Sequence, residues 1–174
     1  MRKLSSLFLA GALVLLVAQP ARAEGALILT DVQIFGIQEN CLKSKAALGR
    51  LHTADTLLRI NLGQRYENIS LRLMAPLGSR IALNGMDGVE LTKQTIEYNQ
   101  AVKQFSAAYS KYDAAVNEAL KTDCVKDPVA YYQKIEQARA DRQKVQQSVR
   151  NVNKLLDQYR AAFEVFVARE VSSS

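Results

Sequence analysis

The chain has no tryptophan, one histidine, two cysteines, three prolines and eight glycines among its 174 residues, and each scarcity removes something. So few glycines and prolines argue against an all-β or loop-rich fold, whose many tight turns need both. One histidine, His52, and two distant thiols, Cys41 and Cys124, do not make a tetrahedral metal site without carboxylate help. His52 lies one helical turn from Asp55, a spacing that permits an acid–base pair. No serine or cysteine can be tied to that pair, so the sequence predicts neither an enzyme nor a cofactor or metal.

What is present is helical periodicity. Apolar residues fall at alternating steps of four and three through Tyr131, Ile135, Ala138, Val145, Val149, Val152, Leu156, Tyr159, Phe163 and Phe166, with Arg142 the polar intruder. A repeat averaging about 3.5 residues is what a long helix needs if one narrow stripe is to face partner helices continuously. A second seam runs through Leu91, Thr95, Tyr98, Val102, Phe105, Tyr109, Tyr112, Val116 and Ala119, with Ala101, Ala108 and Ala115 recurring every seven residues beside it. An earlier helix is expected from Cys41 to about Met74, with Leu48, Leu51, Leu58, Leu62, Ile69 and Leu73 turned inward. Pro76 should break or kink it, because proline lacks an amide hydrogen and crowds the preceding turn.

Turn chemistry separates these segments. Asn84-Gly85-Met86-Asp87-Gly88 supplies residues that tolerate positive φ, and Asp87 three places before Glu90 has the spacing of a capping box. Asp127 before Pro128 has the order of an N-cap followed by a first-turn proline. Short connections force long helices to run antiparallel. The expected fold is therefore all-α: an elongated antiparallel three-helix bundle, coiled-coil-like, over residues 41–174.

Two segments precede it. Arg2 and Lys3, the apolar stretch from Leu7 to Ala18, and Ala21-Arg22-Ala23 have the pattern of a signal peptide over 1–23, cleaved after Ala23. Residues 24–40, with the run Ala26 to Leu29 and alternating Val32 and Ile34, suggest an extended or irregular N-terminal arm. Cleavage removes three positive charges from the formal +6 and leaves +3, a balance with no strong case for nucleic acid. No transmembrane span is expected after cleavage. Secretion or a periplasmic location makes a Cys41–Cys124 disulfide the natural pairing. Simple reflection through the Asn84–Gly88 turn leaves those cysteines seven residues, or about 10 Å, out of register.

The remaining candidates are interaction residues. Arg59, Arg65, Arg72 and Arg80 lie along the first helix, with Asp55 four residues before Arg59, and suit a docking strip for an acidic partner. Arg142 interrupts its seam and should pair with Asp113 or stack on Tyr109 or Tyr112. Seam tyrosines Tyr98, Tyr109, Tyr112, Tyr131 and Tyr159 suggest a seam near the surface or covered by a second copy in a homo-oligomer. The function these features suggest is an exported, non-enzymatic helical scaffold with a protein partner in the cell envelope or outside the cell. The alternatives are a periplasmic holdase-type chaperone and a small-ligand sensor module, the last favoured if Arg142 lines a cavity.

Overall fold

The structure, a computed structural model, describes residues 28–172. The expected signal peptide over 1–23 and its expected cleavage after Ala23 lie outside them. Every regular element is helical, with no strand among the described residues. In chain order these are α1 (Asp31–Glu39), α2 (Cys41–Ile69), a π-helical turn (Ser70–Met74), α3 (Ala75–Leu83), α4 (Val89–Lys121) and α5 (Pro128–Ser172).

The core belongs to α4 and α5. Leu91, Tyr98, Ala101, Phe105, Tyr109, Tyr112, Val116 and Ala119 are buried along α4, which follows the heptad spacing of the sequence. Their counterparts on α5 are Tyr131, Ala138, Val152 and Tyr159, with Ile135, Val145 and Val149 half-buried. Pro128 opens α5 under an Asp127 cap, whose Oδ1 accepts the Ala130 amide at 3.1 Å. Gly85 takes the positive φ of 65° that the preceding turn requires. At Gly88 a side chain would collide with Ile81, whose Cγ2 lies 2.5 Å from the Cβ position.

Three expectations are corrected here. The arm over 24–40 is not extended where it is described, since Asp31–Glu39 is helix. Thr30 and Gln33 form the capping box that starts it, with the Gln33 amide 3.3 Å from Thr30 Oγ1 and the Thr30 amide 2.9 Å from Gln33 Oε1. Helix α4 begins at Val89 without a capping box; Asp87 instead accepts the Val89 amide and pairs with Arg169 at 3.1 Å. The inward set of the first helix holds only in part. Leu48, Leu62 and Ile69 are half-buried and pack against the core, but Leu51, Leu58 and Leu73 are exposed, and the fully buried positions from α2 through α3 are Cys41, Tyr66, Ser70, Met74 and Ile81.

Pro76 does not stop the helix. The backbone stays right-handed helical through Met74 and Ala75, and the Ala75 amide bonds back five residues to Ser70. A widened turn of this kind absorbs the amide that proline cannot supply. It also inserts a residue, which helps to move the α2–α4 register away from simple reflection. Ser70 faces Asn99, three places short of the reflected position, and His52 faces Asp113, seven places short. The same displacement brings Cys41 and Cys124 together with a Cα separation of 5.6 Å, so the disulfide is present. Around it Tyr131, Ile37 and Ile135 close a small apolar cluster.

Candidate functional site: the groove between α2 and α5

Helix α2 is joined to the α4–α5 pair by polar side chains as well as by Tyr66 and the half-buried Leu48, Leu62 and Ile69. Only Cys41 and Tyr66 are buried in its 29 residues, and no Cα atom of α2 comes within 8 Å of one of α5. Three links cross that gap. Ser44 Oγ meets the Tyr131 hydroxyl at 2.7 Å, the Arg142 guanidinium donates to both Asp55 oxygens at 2.8 and 3.0 Å, and the Tyr66 hydroxyl donates to Asn153 Oδ1 at 3.3 Å. Each link joins residues 87 apart, and successive links are eleven residues apart on both helices. Helices α2 and α5 therefore run parallel and in register, joined once every three turns, or about every 16 Å.

The tyrosines anchor α2 to this frame. Contrary to the surface-seam expectation, Tyr98, Tyr109, Tyr112, Tyr131 and Tyr159 are all buried. Their rings fill the α4–α5 core while hydroxyls reach across, so that an apolar body and a polar tip serve two contacts. Tyr109 donates to Thr56 Oγ1 at 3.0 Å, Tyr112 to Asp55 Oδ2 at 2.6 Å and Tyr98 to the Tyr66 carbonyl at 3.2 Å.

Asp55 is the hub. It accepts from Arg142 of α5 and Tyr112 of α4, so one carboxylate ties three helices. The expected Asp113 partner for Arg142 is not used; Asp113 accepts His52 Nε2 at 2.7 Å instead. His52 and Asp55, weighed as a catalytic pair, thus turn to different partners. Burial alone would raise the Asp55 carboxyl, but hydrogen bonds from Arg142 and Tyr112, with the positive charge of Arg142, hold it below its ordinary 3.8. Burial, and then the Asp55 carboxylate, push the Tyr112 hydroxyl up.

A pH dependence follows with a definite sign. Because the folded-state value is below the unfolded one, the stability contributed by Asp55 is complete above about pH 4 and is lost as pH falls through the folded value. Asp55→Asn should lower stability by about 1 kcal/mol at pH 7, a figure reduced because the Arg142 side chain is 40% exposed. It should also flatten the loss of stability below pH 4, as read by urea unfolding followed by circular dichroism. An unchanged acid limb in the variant would remove Asp55 from its cause.

Between the links the groove is apolar and open. Leu58, Leu62, Val145, Val149, Phe105 and Tyr109 line a cavity of about 300 Å³, with Arg59, Arg142 and Arg150 at its edges. A second hollow of about 220 Å³, with Leu48, Leu51, Ile135 and Ala138, lies on the other side of the Asp55–Arg142 link. Of the predicted arginine strip, Arg65 and Arg72 border a shallow exposed hollow on the outer face of α2, and Arg80 is exposed on α3. Arg59 leaves that strip: it does not pair with Asp55, and its guanidinium lies over the Tyr109 ring, 5.1 Å from the centroid.

One buried charge was not foreseen. Asp141, not Arg142, is the polar residue most deeply set in α5, and Lys144 and Gln137 satisfy it at 2.7 and 2.8 Å. Its burial opposes ionisation, yet those hydrogen bonds outweigh it and keep the carboxyl below its ordinary value. Its signal in the sequence was the arrangement of Gln137 and Lys144 one turn to either side. Among the described residues no group of three or more histidine, cysteine or carboxylate side chains is placed to hold a metal ion. No described helix is long and apolar enough to cross a membrane. Comparison with known proteins finds no matching family model, no matching curated protein and no matching solved structure.

Proposed function

We propose that the chain is an exported, non-enzymatic binding module of the cell envelope or extracellular space. In this reading it is an elongated antiparallel three-helix bundle, and its working surface is the α2–α5 groove rather than the arginine strip. The leader pattern and the disulfide support export. The observation that carries the binding role is the treatment of α2. It is fastened by polar links and a disulfide, yet it leaves Leu58 56% exposed beside a cavity walled by Val145 and Val149. Leu58 differs from the other exposed leucines of this helix in lining that cavity, so its apolar surface is one an occupant would cover.

A protein partner remains the first occupant to test, and a small ligand is the second reading. The specific observation favouring the latter is that Arg142 lines the cavity. The holdase reading fits less well, because polar links divide the groove into short compartments instead of one continuous apolar cleft.

A photo-cross-linking amino acid placed at Leu58, and separately at exposed Lys103 on α4, tests the working surface in the native cells. Cross-linked adducts from position 58 and none from position 103 are expected. Adducts from position 103 with none from position 58 would move the working surface elsewhere.

A further inference from the structure

We infer that the compartment between the Asp55–Arg142 and Tyr66–Asn153 links takes a single-chain anionic amphiphile, in class a fatty carboxylate. This rests on the groove being the working surface and adds what occupies it. The tail would lie against Leu58, Leu62, Val145 and Val149, over Phe105, while the head meets Arg59 and Arg150.

Charge complementarity selects the head group. The compartment has three arginines at its edge and one carboxylate, Asp55, which is already held by Arg142 and Tyr112. Neither Arg59 nor Arg150 has a carboxylate within ion-pair distance among the described residues. These two arginines stand on opposite walls. By the constant offset of 87, Arg59 of α2 is level with Gln146 of α5, and Arg150 lies one turn, about 6 Å, further along the axis. Arg59 is also placed in advance, since the Tyr109 ring beneath it fixes the guanidinium at the cavity edge. A planar guanidinium on each side suits a carboxylate.

Length selects the tail. The Asp55–Arg142 pair lines one end of the compartment, which extends along α2 to Leu62 and along α5 to Arg150, so a short chain fits where a long peptide helix would have to break that pair. The volume of about 300 Å³ is at the lower end for a small-molecule site. The exposed face of Leu58 gives the tail apolar surface to cover.

Isothermal titration of the oxidised protein with dodecanoate below its micelle concentration tests this, beside dodecyltrimethylammonium and citrate as probes. The expected result is saturable binding of one dodecanoate per chain, at least about tenfold weaker binding of the cationic amphiphile, and none of citrate. Arg59→Gln with Arg150→Gln should weaken dodecanoate about tenfold, one charge-assisted hydrogen bond's worth, with an unchanged circular dichroism melt. Equal binding of both head groups, binding of citrate, insensitivity to the double variant, or no binding of dodecanoate would each overturn the inference. If dodecanoate fails while position 58 still yields cross-links, the occupant is of another class and the groove stands. If position 58 yields none but dodecanoate binds as expected, the site is real and its role in the cell is not the one proposed.

Discussion

Reduction of the Cys41–Cys124 disulfide is expected to lower stability by about 4.5 kcal/mol, the chain-entropy value for a loop of this length, and the melting temperature by about 10 °C or more. The bridge joins residues 83 apart in sequence, and opening it returns that loop's freedom to the unfolded chain. The loss should also be local. Between Cys41 and Gly63 no residue other than Cys41 is buried, so this half of α2 depends on the bridge and on side-chain links. Hydrogen exchange of the Cys41→Ala/Cys124→Ala variant should show protection falling across α1 and residues 42–63, with α4 and α5 retaining theirs. A uniform loss over all helices, or none, would show that α2 is held by something other than the bridge and its polar links.

Truncation of Phe105 should have an effect of similar size through a different cause. Phe105 is 1% exposed and meets the Tyr66 ring edge-on at 5.5 Å, so Phe105→Ala removes a core ring and a ring-to-ring contact joining α2 to α4. The expected loss is about 3–5 kcal/mol in urea unfolding. Leu57→Ala, at a position 60% exposed, should change stability by no more than about 0.5 kcal/mol. Comparable losses at the two positions would mean that α2 packs through its leucines after all.

The two positions also divide what was legible in the sequence from what was not. Helices α4 and α5 could be read directly because their apolar residues keep one spacing over many turns, and because Asp127-Pro128 marks a start. Helix α2 could not be read in that way. Its leucines are spread around the helix, and although aliphatic spacing finds the half-buried Leu62 and Ile69, the fully buried positions are Tyr66, Ser70 and Met74, which it passes over. At α1 the apolar run and the Val32–Ile34 alternation suggest an extended arm, whereas Thr30 and Gln33 have the spacing of the capping box that starts the helix. Arg142 was recognisable as a group needing a partner. Asp55 was not recognisable as that partner, since the reflected register points to Asp113. The pairing rests on a displacement that accumulates along α2 and has no mark in the sequence apart from Pro76. The 87-residue offset appears only once parallel alignment is known, and the groove itself is a property of spacing between helices.

That spacing follows from α5 being measured against two scales. Helix α4 meets it in sevens, which favours a gentle left-handed winding, whereas α2 meets it in elevens, which favours almost none or a slight opposite hand. One rod cannot coil both ways, so α2 and α5 meet at every eleventh residue and part between those marks. Sliding either helix by a single turn would misalign every coincident mark at once. The assembly thereby has one permitted length setting, and its gaps are as reproducible as its contacts.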